Sequence, residues 1–375
     1  MKSGLSFLVA ARQCEIEVLR QLDRSVELVG AVGSLVHALQ RERGLSNGWL
    51  GSAGQRFTHE LDQQTAQSDT LEEELRNALA SLIEAPHGAP GARLCNRVAW
   101  ALTGLDALPA LRRGIRTQEL SAARATSAYI KLIGALLGVV FEAADEASDP
   151  ALSRPLVALF NLMQGKEFAG QERACGALAF TSGVNDLARQ QLWLHLIDSQ
   201  EQCFRIVAEF ASPALLHAWQ TSLAEAPTAD LERLRRVACA ALPGARLDGE
   251  QSTTWFDVCS QRINAMRRTE VQLTQELLAL SQSRLAQARD ELQTQVALLE
   301  RLPDAPAHKA AEFFDRAPLA PTETGTTRAY GVQLQRSILD LVQEQAQRLQ
   351  AMNDELQTAG ASLNERKLVE RAKGL

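Results

Sequence analysis

Apolar side chains recur at spacings of three and four along most of the chain, and no stretch alternates apolar and polar residues as a half-buried strand would. The pattern predicts helices over 5–50, 55–84, 93–117 (a pair broken near Pro109), 121–147, 150–181, 185–211, 214–223, 230–242 and 255–302. Proline and glycine punctuate most of the boundaries, as at Ser148-Asp149-Pro150 and Ser212-Pro213. The first tract is loosened near Gly30, Gly33 and Gly44. The most apolar run, 121–147, carries Ile130, Leu132, Leu136, Leu137 and Val140. An all-α fold follows, with amphipathic helices divided between two packed bundles and the long helices shared or lying side by side.

The pattern changes after residue 301. Residues 302–327 hold four of the twelve prolines and no long period, which reads as a linker, with Phe313-Phe314 as a local docking point. Helical spacing returns over 328–375, where Leu349, Met352, Leu356, Ala359 and Leu363 follow a three-four repeat. Such a seam suits a short coiled coil, or an amphipathic helix packed back on the body. Three segments result: a helical domain over 1–301, the linker, and a long C-terminal helix.

Composition narrows the function. A net charge of −6 gives no bulk reason to hold nucleic acid, so any RNA contact has to be local. The six cysteines are scattered without CxxC spacing, which suits reduced thiols in a cytoplasmic protein. The N-terminal apolar stretch meets charge too soon for a signal peptide. The best membrane candidate, 129–144, contains Lys131 and Glu142 and falls short of the roughly 20 apolar residues a span needs, so no membrane association is expected. No histidine pair sits at metal-binding spacing, no glycine-rich loop follows a strand, and carboxylate runs such as Glu72-Glu73-Glu74 suit a solvated face. Neither an enzyme nor a cofactor or metal protein is expected.

The candidate chemistry lies in three segments, LQRERGLSNGWLGS (39–52), MQGKEFAGQERACGALAF (163–180) and LERLRRVACA (231–240). In each, one arginine shares a helix face with apolar or small residues. Arg43 lines up with Val36, Leu39, Ser46, Asn47 and Leu50; Arg173 with Ala169, Gly170, Ala177 and Phe180; Arg235 with Leu231, Ala238 and Cys239, while Arg236 turns outward. An unpaired charge on a buried face costs several kcal/mol, so each guanidinium needs an anion. One solution is structural: Arg43 with Glu172 or Glu167, and Arg173 with Glu42. The other is a small bound anion, for which Gly44, Gly165, Gly170 and Gly176 let the helix backbones come close.

These same segments resemble the nitrate- and nitrite-sensing (NIT) domain, through the ERG turn, the KE–AGQERA helix and the LRRVAC stretch. The terminal ASLNERKLVERAKGL (361–375) resembles the opening helix of the ANTAR domain, an RNA-binding antitermination module. Leu363, Glu365, Arg366, Lys367, Glu370, Arg371, Lys373 and Gly374 carry that match, and the family's pattern normally continues beyond the position of Leu375. NIT followed by ANTAR is the layout of nitrate-responsive transcription antiterminators. The resemblance implies an all-helical sensor that binds nitrate or nitrite through Arg43, Arg173 and Arg235. It further implies a cytoplasmic regulator of nitrate-assimilation genes acting on a leader-RNA hairpin, with Arg366, Lys367, Arg371 and Lys373 as the basic RNA-facing side chains and a homodimer as the working state. The alternative is a truncated nitrate-binding module without RNA binding of its own. Nitrate suits a guanidinium fork because it is planar, singly charged and offers in-plane lone pairs. Nitrite shares those properties.

Overall fold

The computed structural model describes residues 4–84, 90–147, 149–184, 186–240 and 246–300. They form ten α-helices: α1 (Gly4–Gly51), α2 (Thr58–Glu84), α3 (Ala92–Asp106), α4 (Leu108–Arg116), α5 (Ala122–Asp145), α6 (Pro150–Ser182), α7 (Leu187–Phe210), α8 (Pro213–Glu225), α9 (Thr228–Ala240) and α10 (Gln251–Glu300). The fold is all-α, and the one extended pairing among the described residues is an isolated antiparallel bridge between Val184 and Arg246. The expected linker, the Leu349–Met352–Leu356–Leu363 seam and the basic residues Arg366, Lys367, Arg371 and Lys373 lie outside the described residues.

Local chemistry sets the breaks. Asp149 caps α6 by accepting from the Ala151 amide at 2.9 Å, and Pro150 follows at the first helical position, where its missing N–H is harmless. Ser212 and Pro213 repeat the device at α8, with Ser212 Oγ accepting from the Leu215 amide at 3.2 Å. Asp186 caps α7 through the Arg189 amide at 2.8 Å, and Ser121 caps α5. At the far end of α6, Gly183 turns to φ +67°, a left-handed cap that a side chain would resist.

Two cores result. The first unites α1, α2, α3 and α5 with the early half of α6 and the late half of α10, through Val29, Leu39, Leu75, Leu105, Ile133 and Leu277. The second joins late α6, α7, α9 and early α10 around an aromatic cluster of Phe180, Trp193 and Trp255. Trp193 and Trp255 meet edge-on, with ring centroids 4.8 Å apart. A smaller cluster of Leu162, Val207, Trp219 and Met266 lies between them. The long helices α6 and α10 therefore pass through both bundles.

The helix α5 is 24 residues long and apolar enough, by length and composition, to cross a membrane, contrary to the expectation from the shorter 129–144 stretch. Here it is a core helix instead. Tyr129, Ile133, Leu136 and Val140 are all buried, and α5 packs on α1, α3 and α6.

Glycine placement yields a paired prediction. A Cβ at Gly176 would sit 2.3 Å from the Trp255 indole, which is fully buried. Gly176→Ala should lower stability by about 1–3 kcal/mol through overpacking. A Cβ at Gly134 would meet nothing within 4 Å, so Gly134→Ala should add about 0.5–1 kcal/mol through helix entropy. Urea unfolding followed by tryptophan fluorescence checks both; equal effects would contradict the packing assigned to Gly176.

Candidate functional site

The eight residues from Lys166 to Arg173 place four charged side chains on α6, and each meets a different partner. Consecutive helical residues point about 100° apart. Glu167 faces α1, Glu172 faces α7 and α9, and Arg173 lies between α1 and α10.

On the α1 side, Arg43 is 1% exposed and grips Glu167 with its fork, Nη1 to Oε1 at 2.5 Å and Nη2 to Oε2 at 3.2 Å. Gln40 and Gln171 each donate an amide to the same carboxylate at 2.9 Å. Arg173 reaches into this site from α6. Its Nη1 donates to Ser260 Oγ at 3.0 Å, and its guanidinium lies 4.8 Å from the Phe256 ring centroid. Among the described residues it has no carboxylate partner. Burial, and then the charge of Arg43, push its pKa down to about 10. The two arginines cross over each other's glycines: Arg43 Nη2 lies 2.7 Å from a Cβ built on Gly170, and Arg173 Nη2 lies 3.3 Å from one built on Gly44. The room those glycines leave is thus filled by guanidinium.

Arg235 belongs to a second cluster. It is buried on the inner face of α9, while Arg236 is exposed and bonds back to the Glu232 carbonyl. Its Nε and Nη2 donate to Glu172 at 2.7 Å each, and its Nη1 to Glu232 at 2.7 Å. Glu172 also accepts from Trp193 at 3.1 Å and Gln200 at 2.7 Å. Burial favours the neutral form of both partners, but their mutual bonding outweighs it, holding Glu172 below and Arg235 above the ordinary range. Arg262 joins through Gln200 Oε1 at 2.6 Å and is pushed down to about 10 by burial and then by Arg235.

The structure therefore brings Arg43 and Arg173 together and sets Arg235 apart, with its donors committed to carboxylates. Glu42 is likewise taken, by Arg112 at 2.6 and 2.9 Å and by the Tyr129 hydroxyl at 2.9 Å. That network borders a cleft of about 310 Å³ on α1, α2, α4 and α5, which includes none of the three predicted arginines. Several charged residues were not singled out from the sequence. Arg112 and Arg262 sit in ordinary amphipathic helices, where spacing gives no sign of a partner. Lys166, fully buried, pairs with Glu270 of α10, which also holds Arg267 at 2.5 Å. Beside them stands His37, whose Nδ1 is buried without a hydrogen-bond partner among the described residues.

Two consequences are measurable. Arg235→Ala strands the buried Glu172 and should cost about 3–5 kcal/mol in denaturant unfolding, while Arg236→Ala should change little. His37 is pushed down from 6.5 to about 2, by burial first and then by Lys166, Arg267, Arg41 and Arg173. Its unfolded form takes up a proton near pH 6.5 and its folded form does not until about pH 2, so the contribution is complete above 6.5 and lost as pH falls through that window. Unfolding free energy measured from pH 8 to pH 4 should therefore drop less steeply in His37→Gln than in the wild type.

Comparison with known proteins agrees with this architecture. The family described as nitrate and nitrite sensing matches residues 34–278, a span that includes Arg43, Arg173 and Arg235. The nitrate regulatory protein of Klebsiella oxytoca is 35% identical across 99% of this chain and 85% of that protein. The solved structure of the NasR transcription antiterminator superposes with a TM-score of 0.69 at 31% identity, over 98% of this chain and 88% of that one. The chain belongs to the nitrate- and nitrite-sensing family of regulators.

Proposed function

We propose that nitrate or nitrite binds between the guanidiniums of Arg43 and Arg173, and that occupancy of this site controls transcription antitermination of nitrate-assimilation genes through leader RNA. The observation that carries the reading is Arg173. It is a half-buried cation beside a second cation, and its contacts among the described residues, Ser260 and Phe256, are neutral. Glu167 answers Arg43, which leaves one positive charge over from two guanidiniums and one carboxylate. A planar monoanion supplies the missing charge, and its in-plane lone pairs match guanidinium donors. At about 4 Å and an effective dielectric near 20, one such contact is worth roughly 4 kcal/mol before the costs of capture. Arg235 acts one layer behind, fixing Glu172 and α9 against α6.

Signalling then runs along α10. Arg173 touches α10 at Phe256 and Ser260, and the helix continues for 50 residues in all, about 75 Å, to Glu300. Without the anion, Arg43 and Arg173 repel each other; with it, α1, α6 and α10 are drawn together, the differential contact a switch requires. The segment beyond α10, with Arg366, Lys367, Arg371 and Lys373, carries the signal to RNA. The protein works as a cytoplasmic homodimer and performs no catalysis. The NasR antiterminator similarity supports the transcriptional output, and the nitrate and nitrite sensing family supports the ligand.

Nitrate and nitrite at about 100 times their dissociation constants should each stabilise the full chain by roughly 2.7 kcal/mol, a shift of a few degrees, relative to chloride at equal ionic strength. Arg173→Ala removes a cation without stranding a carboxylate, so it should fold normally and lose the shift. Identical melting curves in nitrate and chloride would overturn the anion reading.

A further inference from the structure

Glu167 is the one acidic group in direct contact with the paired arginines among the described residues. It is 2% exposed, and its two oxygens accept four hydrogen bonds, two from Arg43 and one each from Gln40 and Gln171. The two glutamines come from different helices, α1 and α6, and converge on the carboxylate rather than on each other. So much built around one acid fixes its position, and with it the charge of the site.

The neighbouring charges bond mainly among themselves. Glu42 is held by Arg112, whereas Lys166 and Arg267 share the single carboxylate of Glu270 and, with the solvent-exposed Arg41, keep the surroundings of the site positive. Among the side chains placed to touch the anion, Arg43, Arg173 and Glu167, the sum is one positive charge. A bound monoanion brings that sum to zero. A dianion would leave one negative charge in a site with little water and would face the Glu167 carboxylate directly, which low dielectric makes costly.

We propose that Glu167 sets the valence of the ligand: its carboxylate, fixed against Arg43, admits planar monoanions and rejects dianions such as sulfate. This rests on the anion reading given above. Shape contributes too, but a charge filter acts before fit, because a tetrahedral dianion is excluded even where the helices could give way. Affinity is the counterpart. The same carboxylate competes with the ligand for Arg43, so it weakens nitrate binding while it narrows selectivity.

The test uses titration calorimetry on the full chain with sodium nitrate and sodium sulfate at matched ionic strength, below the concentrations at which sulfate stabilises proteins in general. The wild type should bind nitrate and give no heat with sulfate. E167Q keeps the shape and an acceptor for Arg43 but raises the site by one charge. It should bind sulfate at least tenfold more tightly than the wild type does and should bind nitrate more tightly as well. S260K adds a cation beside Arg173 without touching Glu167, and should also admit sulfate; it decides the matter if E167Q does not fold. The double variant R43Q/E167Q returns the sum to one and should reject sulfate again. If the wild type binds nitrate while folded E167Q and S260K remain blind to sulfate, the role given to Glu167 is overturned and the nitrate site stands. If the wild type binds no nitrate, both fall together.

Discussion

The architecture depends on the cost of burying charge on one helix. Within eight residues α6 carries Lys166, Glu167 and Glu172, all buried, and the half-buried Arg173. Each would be expensive to bury alone, and helical geometry sends them in different directions, so each demands its own partner on a different neighbour. Glu270 on α10, Arg43 on α1 and Arg235 on α9 supply three of those partners. Apolar packing alone would tolerate a helix sliding by a turn. These pairings do not, because a shift would leave several charges unmatched at once.

Arg173 is the exception in this set, and its position explains why function gathers there. The other three charges have opposite charges in contact, whereas Arg173 has a hydroxyl and an aromatic face. A cation–π contact and one neutral hydrogen bond are weak compensation for a desolvated guanidinium, and the nearby Arg43 works against it. The site holds this unfavourable charge because the surrounding ion pairs and the two apolar cores fix the helices around it. Stability elsewhere thus supports a local deficit that a ligand can relieve. Placing the deficit on α10 as well as α6 connects it to the longest rigid element of the described chain.

The two clusters beside α6 also divide labour. Around Glu172, all three guanidinium nitrogens of Arg235 are bonded, and Trp193 and Gln200 complete the carboxylate, so that region behaves as a fixed joint between α6, α7 and α9. Around Glu167, the carboxylate is equally complete but the charge is not. The distinction between a joint and a receptor lies in that single excess charge.

Much of this was legible in the sequence. Spacing of apolar residues, with Asp149-Pro150, Ser212-Pro213 and Pro109 as punctuation, determined the helices to within a few residues, because capping and the missing proline N–H act locally. The same periodicity put Arg43 and Arg235 on buried faces and Arg236 outside, and the motifs around them carried the family resemblance. Which arginine keeps its charge unanswered was decided only in three dimensions. Arg43, Arg173 and Arg235 read alike along the chain, each a cation on an apolar face with glutamates in reach. Their partners on other helices lie from 63 to 124 residues away, and ion pairing depends on distances of a few ångströms between side chains. The glycines at 44 and 170, which suggested space for a ligand, instead let two guanidiniums cross, an outcome set by the crossing of α1 and α6 and by nothing in either helix alone.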